Sequence, residues 1–234
     1  MLTSCLSSPK QRAGQILTRL RPQRSHLPLG NALGRPMDLV QYSEDLSKWL
    51  NLKLDGLTIP SDDTSRAAAA CLDMAMEHQI AVSILVKNKL YGSAFSLARC
   101  TLEAYVRGIW LSNCANEKQT KLYLKDKLEL TFQTYINDIE KLEAYSDGLL
   151  STVKKNSWKF FNSLTHTGAH QAIRRNTDKS IDANYKPEEV REIVWFVNAI
   201  SILAGYEVAG MATDKDKVNT QAFVDKMQDC AKAS

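Results

Sequence analysis

The chain has 234 residues, 44% apolar and 24% charged, the composition of an ordinary globular protein and enough length to bury a sizeable core. Residues 1–36 hold Lys10, Arg12, Arg19, Arg21, Arg24 and Arg35 and no acid, a charge of +6; against the total of +4, residues 37–234 carry −2. The pI near 8.7 therefore belongs to the leading segment, and the body gives no compositional support for a nucleic-acid partner.

In that leading segment Pro22, Pro28 and Pro36, with Gly30 and Gly34, argue against a continuous amphipathic helix. We expect residues 1–36 to be a disordered basic tail, with Met37 a possible true start of translation. The cysteines are Cys5, Cys71, Cys100, Cys114 and Cys230, an odd number without CxxC spacing. They read as free thiols in a reducing cytoplasm. The longest apolar run, Ile193–Tyr206, is broken by Asn198 and Ser201 and is short for a bilayer, so no membrane association is expected.

Asp38–Leu54 has apolar residues at helical spacing, and Gly56 and Pro60 end it. Ser61–Thr64 offers N-caps for a second helix running to about Leu90. Its stripe of Ala68, Cys71, Leu72, Ala75, Val82 and Val86 also contains Gln79. Tyr91–Leu111 is a third helix, apolar but interrupted by Arg99, Glu103 and Arg107. Glu117–Ala144 reads as one long charge-laced helix, broken at Ser146–Gly148. A shorter helix covers about Thr152–His166, with Trp158, Phe161 and Leu164 inward, and Arg174–Tyr185 reads as a loop. Pro187 at a first helical position, followed by two acids, opens a helix to about Met211 that is apolar nearly all round. Thr220–Lys232 closes the chain. No strand alternation competes. The expected fold is a single antiparallel all-α bundle of six to eight helices over 37–234.

Three residue sets carry chemistry. Arg99, Glu103 and Arg107 recur every four residues, within reach of one another on a helix. Arg99 falls between Val106 and Trp110 on the apolar face, and a charge there must be paired. Two roles fit: an ion pair that braces the helix, or an anion-binding fork in which Glu103 orients Arg99. The second set is His166, His170 and Gln171, in THTGAHQ. Two histidines four apart could share a metal, but Gly168 weakens the helix and no acid lies between them, so no metal is expected. His166 either caps its helix or stands near Arg99 as a general acid or base. Third, Arg174 and Arg175 could contact phosphate or lie in solvent. Asn198, Glu207, Tyr105 and Gln79 are candidates for a buried polar network. No P-loop, GxGxxG or GxSxG motif is present, and no cofactor is implied.

LYGSAFSLARCTLEAYVRGIWL (90–111), FFNSLTHTGAHQAIRR (160–175) and NYKPEEVREIVWFVNAISILAGYEVA (184–209) resemble a bacterial all-helical family of unknown function. It is marked by an R-x-x-x-E-A helix, an N-x-x-T-H-x-G segment and a late apolar helix. The resemblance covers nearly all of 37–234 and implies a fold more than an activity. More remotely the chain is similar to helical bundles of the higher-eukaryote-and-prokaryote nucleotide-binding type, many of them RNases of toxin and defence systems. Those enzymes place an Arg four to six residues before a His, whereas here Arg99 and His166 come from different helices. Two functions fit these residues. One is a defence or toxin–antitoxin component acting through association, with a homodimer or another protein as partner. The other is a metal-independent RNase or nucleotide-binding protein using Arg99 and His166, with Arg107, His170, Gln171 and Arg174 as binding residues.

Overall fold

The computed structural model describes residues 36–232; the leading tail and the start at Met1 or Met37 lie outside the described residues or at their edge. The helices are α1 (Pro36–Leu54), α2 (Asp63–Lys87), α3 (Tyr91–Asn113), α4 (Glu117–Tyr123), α5 (Phe132–Ile139), α6 (Leu149–Thr165), α7 (Ala169–Ile173), α8 (Pro187–Met211) and α9 (Thr220–Lys232). Short 3₁₀ turns cover Glu143–Tyr145 and Lys215–Lys217. Among the described residues the regular structure is all helical apart from one isolated bridge, Asn176 to Ile181.

α2 and α3 form a helical hairpin. Asp62 caps α2 by accepting from the Ser65 amide at 2.9 Å, and only Asn88–Leu90 separates the two helices. Gly108 permits their close approach: a Cβ there would stand 2.6 Å from Leu72 Cγ and 3.2 Å from the Ala68 carbonyl. α8 lies at the centre, packed on α1, α2, α3 and α9. It runs parallel to α1, because Ser43 meets Asn198 and Leu50 meets Gly205. α9 turns back antiparallel, with Phe223 beside Gly205 and the Trp195 indole donating to the Cys230 carbonyl at 2.9 Å. One continuous apolar core joins all these helices around Trp110, Tyr105, Phe95 and Phe196.

By length and composition alone α2 and α8 are each apolar enough to cross a bilayer, a property the broken run Ile193–Tyr206 conceals. Of the most apolar stretch of α8, 83% is buried inside the bundle; for α2 the figure is 33%.

The expected helix over Glu117–Ala144 is instead two α-helices and a 3₁₀ turn, and with the short α7 the α-helices number nine among the described residues. α4 ends in a Schellman-type turn, with the Lys127 amide on the Leu122 carbonyl at 2.8 Å and Asp126 at φ +53°. Thr131 then caps α5 by accepting from the Thr134 amide at 3.2 Å. The break leaves Leu124 exposed to solvent. It also frees Phe132 and Tyr135 to pack against α6 and α3.

Candidate functional site

Arg99, Glu103 and Arg107 stand on successive turns of α3, along the edge that looks toward α5 and α6. Leu102 and Val106 between them, and Phe95 one turn before Arg99, are buried and hold that edge in place. Arg99 Nε donates to Glu103 Oε1 at 2.6 Å, and Arg107 Nη2 lies 3.0 Å from Glu103 Oε2. One carboxylate therefore holds two guanidinium groups. The Arg99, Glu103 and Arg107 side chains keep 19%, 16% and 35% of their surface. The charges are paired but open to solvent on one side.

His166 completes the group from α6. Its Nε2 lies 2.7 Å from Arg99 Nη1. An arginine has only donors, so Nε2 accepts and the ring proton sits on Nδ1. Trp158, two turns earlier on α6, carries the Arg99 guanidinium 4.6 Å over its ring and stacks on Phe132 at 4.3 Å and 10°. Lys154 lies 5.9 Å from the same ring and donates to Gln133 Oε1 at 2.5 Å.

The end of α6 is pinned beside Arg99 by local bonds. Ser96 Oγ donates to the Leu164 carbonyl at 2.9 Å, and Thr165 Oγ1 donates to the Ser96 carbonyl at 3.3 Å. His166 is the C-cap, and Thr167 follows at φ +52°. A β-branched residue in the left-handed region costs about 1–2 kcal/mol. The Gly168 amide closes the turn on the Ser163 carbonyl at 2.7 Å. A side chain at Gly168 would collide with Ser163, whose Oγ would stand 2.6 Å from the new Cβ.

That turn separates the two histidines expected on one helix. His170 belongs to α7, edge-on to Phe160 at 5.4 Å, with its amide on Ser163 Oγ at 3.0 Å. Gln171 and Arg174 form a second cluster of latches. Gln171 Nε2 donates to the Gly92 carbonyl at 2.8 Å, and its Oε1 accepts from the Tyr185 hydroxyl at 3.2 Å. Arg174 pairs with Glu189 through both Nε and Nη2 and lies 5.2 Å over Phe160. None of the three makes a hydrogen bond or ring contact with Arg99 or Glu103.

The polar residues expected in one buried network divide into two others. Asn198 Oδ1 accepts from Gln79 Nε2 and from Ser43 Oγ, each at 2.9 Å, joining α1, α2 and α8. Tyr145 donates to Glu207 at 2.6 Å, with Tyr105 alongside. Sequence reasoning missed Trp158 and Phe132 as part of the Arg99 site. Their signal was an aromatic four residues from Lys154 on a helix otherwise read for its inward face.

Other reactive groups near the site are held protonated. Burial raises the Cys100 thiol, and Glu103 raises it further. Burial also raises the Tyr135 phenol, while Arg107 pulls it partly back. Cys71 Sγ lies 3.1 Å from the Tyr123 hydroxyl, and burial raises both groups. None is a ready nucleophile at neutral pH. Among the described residues no group of three or more His, Cys, Asp or Glu is gathered as metal ligands. The remaining chemistry is two guanidinium groups on one carboxylate, beside an imidazole at the solvent edge. That set suits a multivalent oxyanion.

Comparison with known proteins assigns no activity to this arrangement. No curated protein and no solved structure matches the chain. Residues 72–233, more than two thirds of the sequence, match a family of unknown function, DUF6988, and the chain belongs to that family.

Proposed function

We propose that this member of DUF6988 binds phosphate at Arg99 and cleaves RNA without a metal, with His166 as the proton-transfer group. The observation that supports the reading is the 2.7 Å contact between Arg99 Nη1 and His166 Nε2 at the solvent edge. Two elements far apart in sequence bring a fixed cation and a titratable base to one point. A phosphate oxygen that takes Arg99 Nη1 releases the lone pair on His166 Nε2. The imidazole then accepts the proton of the adjacent ribose 2′-hydroxyl. The 2′-oxygen bonds to phosphorus, the bond from phosphorus to the 5′-oxygen breaks, and water protonates the leaving oxygen. Arg99 and Arg107 meet the charge that grows on the non-bridging oxygens, and Glu103 keeps both guanidinium groups aimed.

A second reading has one observation in its favour. Both Glu103 oxygens are occupied and Arg99 is stacked on Trp158, as in an internal brace. The protein would then act through association, as a component of a bacterial defence or toxin–antitoxin system. Cleavage of a labelled single-stranded RNA in excess EDTA separates the two. Wild type is expected to leave 2′,3′-cyclic phosphate ends, with His166→Ala and Arg99→Lys at least about a hundredfold slower. Equal cleavage by all three proteins, each folded by circular dichroism, rejects the enzyme reading.

A further inference from the structure

The outer face of α2 repeats a hydrophobic-seam spacing that the bundle leaves uncovered. Ala70, Asp73, Glu77, Ile80, Ile84 and Lys87 follow one another at alternating steps of three and four, and all are exposed. That is the spacing of a two-helix seam. Ile80 and Ile84 keep 36% and 54% of their surface. The helix is apolar, yet only 33% of its apolar stretch is buried inside the bundle.

We propose that this face is the seam of a homodimer, in which α2 packs antiparallel on α2 of a second copy about a two-fold axis level with Val82. The pattern is self-complementary in that register. Each Ile80 comes level with the partner subunit's Ile84, about 3 Å along the helix from the axis. Each Glu77 comes level with the partner subunit's Lys87, about 7.5 Å from it. Two apolar pairs are thus closed at each end by an ion pair. A parallel, in-register pairing sets Glu77 on Glu77 and Lys87 on Lys87, and like charges disfavour it. The complementarity is to a copy of the same helix, which favours a second chain over an unrelated partner or a lipid surface. Lys87 already bonds Glu44 at 2.7 Å, but about half its side chain is exposed, and an ammonium has three donors. A single helix pair lies at the low end of specific interfaces, about 1,200 Å², and a weak, concentration-dependent dimer is expected. The inference is independent of the Arg99 site.

Sedimentation velocity on the full chain, from about 1 to 100 µM, tests it. Wild type is expected to pass from monomer to dimer across that range. Glu77→Lys and Lys87→Glu, each confirmed folded by circular dichroism, are each expected to weaken the dimer at least about tenfold. The double exchange E77K/K87E restores it, and Ile84→Asp abolishes it. A monomer at every concentration overturns the proposal, as does a dimer indifferent to both single charge changes. Failure of the double exchange to restore association overturns the register. A monomer that instead floats with phosphatidylglycerol vesicles, and loses that on Ile84→Asp, assigns the face to a lipid surface.

Discussion

Glu103→Gln tests the brace and the anion site together. In the native protein each Glu103 oxygen takes one guanidinium, at 2.6 and 3.0 Å. The amide keeps one acceptor and turns an NH₂ toward the other arginine, so one charge-assisted bond is lost and both ion pairs end. Two opposite charges about 4 Å apart attract by about 4 kcal/mol at an effective dielectric constant of 20. Partial exposure of all three side chains, 16–35%, and relief of the carboxylate's desolvation remove much of that. A net loss of about 2 kcal/mol remains, between an exposed pair and a sealed one. For a chain of this size that lowers Tm by about 4–8 °C. Urea unfolding followed by circular dichroism gives the free energy. The variant also leaves two guanidinium groups without their anion, so 50–100 mM phosphate (about that range) should raise its Tm more than that of wild type. A loss below about 0.5 kcal/mol, with no selective rescue by phosphate, refutes the reasoning.

Other expectations follow from single contacts. Thr167→Gly relieves the left-handed strain and should stabilise the fold by about 1 kcal/mol or less, the glycine's greater unfolded freedom offsetting part of the gain; urea midpoints measure it. Gly108→Ala sets a methyl 2.6 Å from Leu72 Cγ and 3.2 Å from the Ala68 carbonyl, and should cost about 1–3 kcal/mol as α2 and α3 part. Asp138 is held below the ordinary carboxylate range by its bond from Lys141 and then by the Trp110 indole, at 2.8 and 3.1 Å. A lowered folded-state pKa gives stability that is present above the unfolded value near ~3.9 and lost as pH falls through the folded one. Acid unfolding curves should therefore fall less steeply for Asp138→Asn than for wild type. Cys230 is buried, and its thiol is pushed up to about 12; mass spectrometry after iodoacetamide at pH 7 should find it unmodified until urea is added.

The long helices were legible because periodicity and caps agreed. α8 runs from Pro187 to Met211 as Pro187 and its acids implied, and α9 fills Thr220–Lys232. The break between α4 and α5 was not legible, because charged residues suit a helix surface and an Asp in the left-handed region leaves no plain mark. Spacing of four placed Glu103 between two arginines, and the helix realised both bonds. The pairing of Arg99 with His166 is a tertiary fact: α6 must end at Ser96, and that depends on hydroxyl bonds from Ser96 and Thr165. The same packing gave Gln171 and Arg174 partners elsewhere, Tyr185 and Glu189, through a loop whose path no periodicity encodes.

The phosphate site is tested most directly by nitrogen NMR of the His166 ring during titration with a 2′-deoxy dinucleotide monophosphate, which can bind but lacks the attacking hydroxyl. Transfer of Arg99 Nη1 to the phosphate should shift the Nε2 resonance saturably in wild type and leave it unmoved in Arg99→Lys. A His166 signal that stays fixed in wild type while the ligand is in millimolar excess contradicts phosphate binding at this cluster.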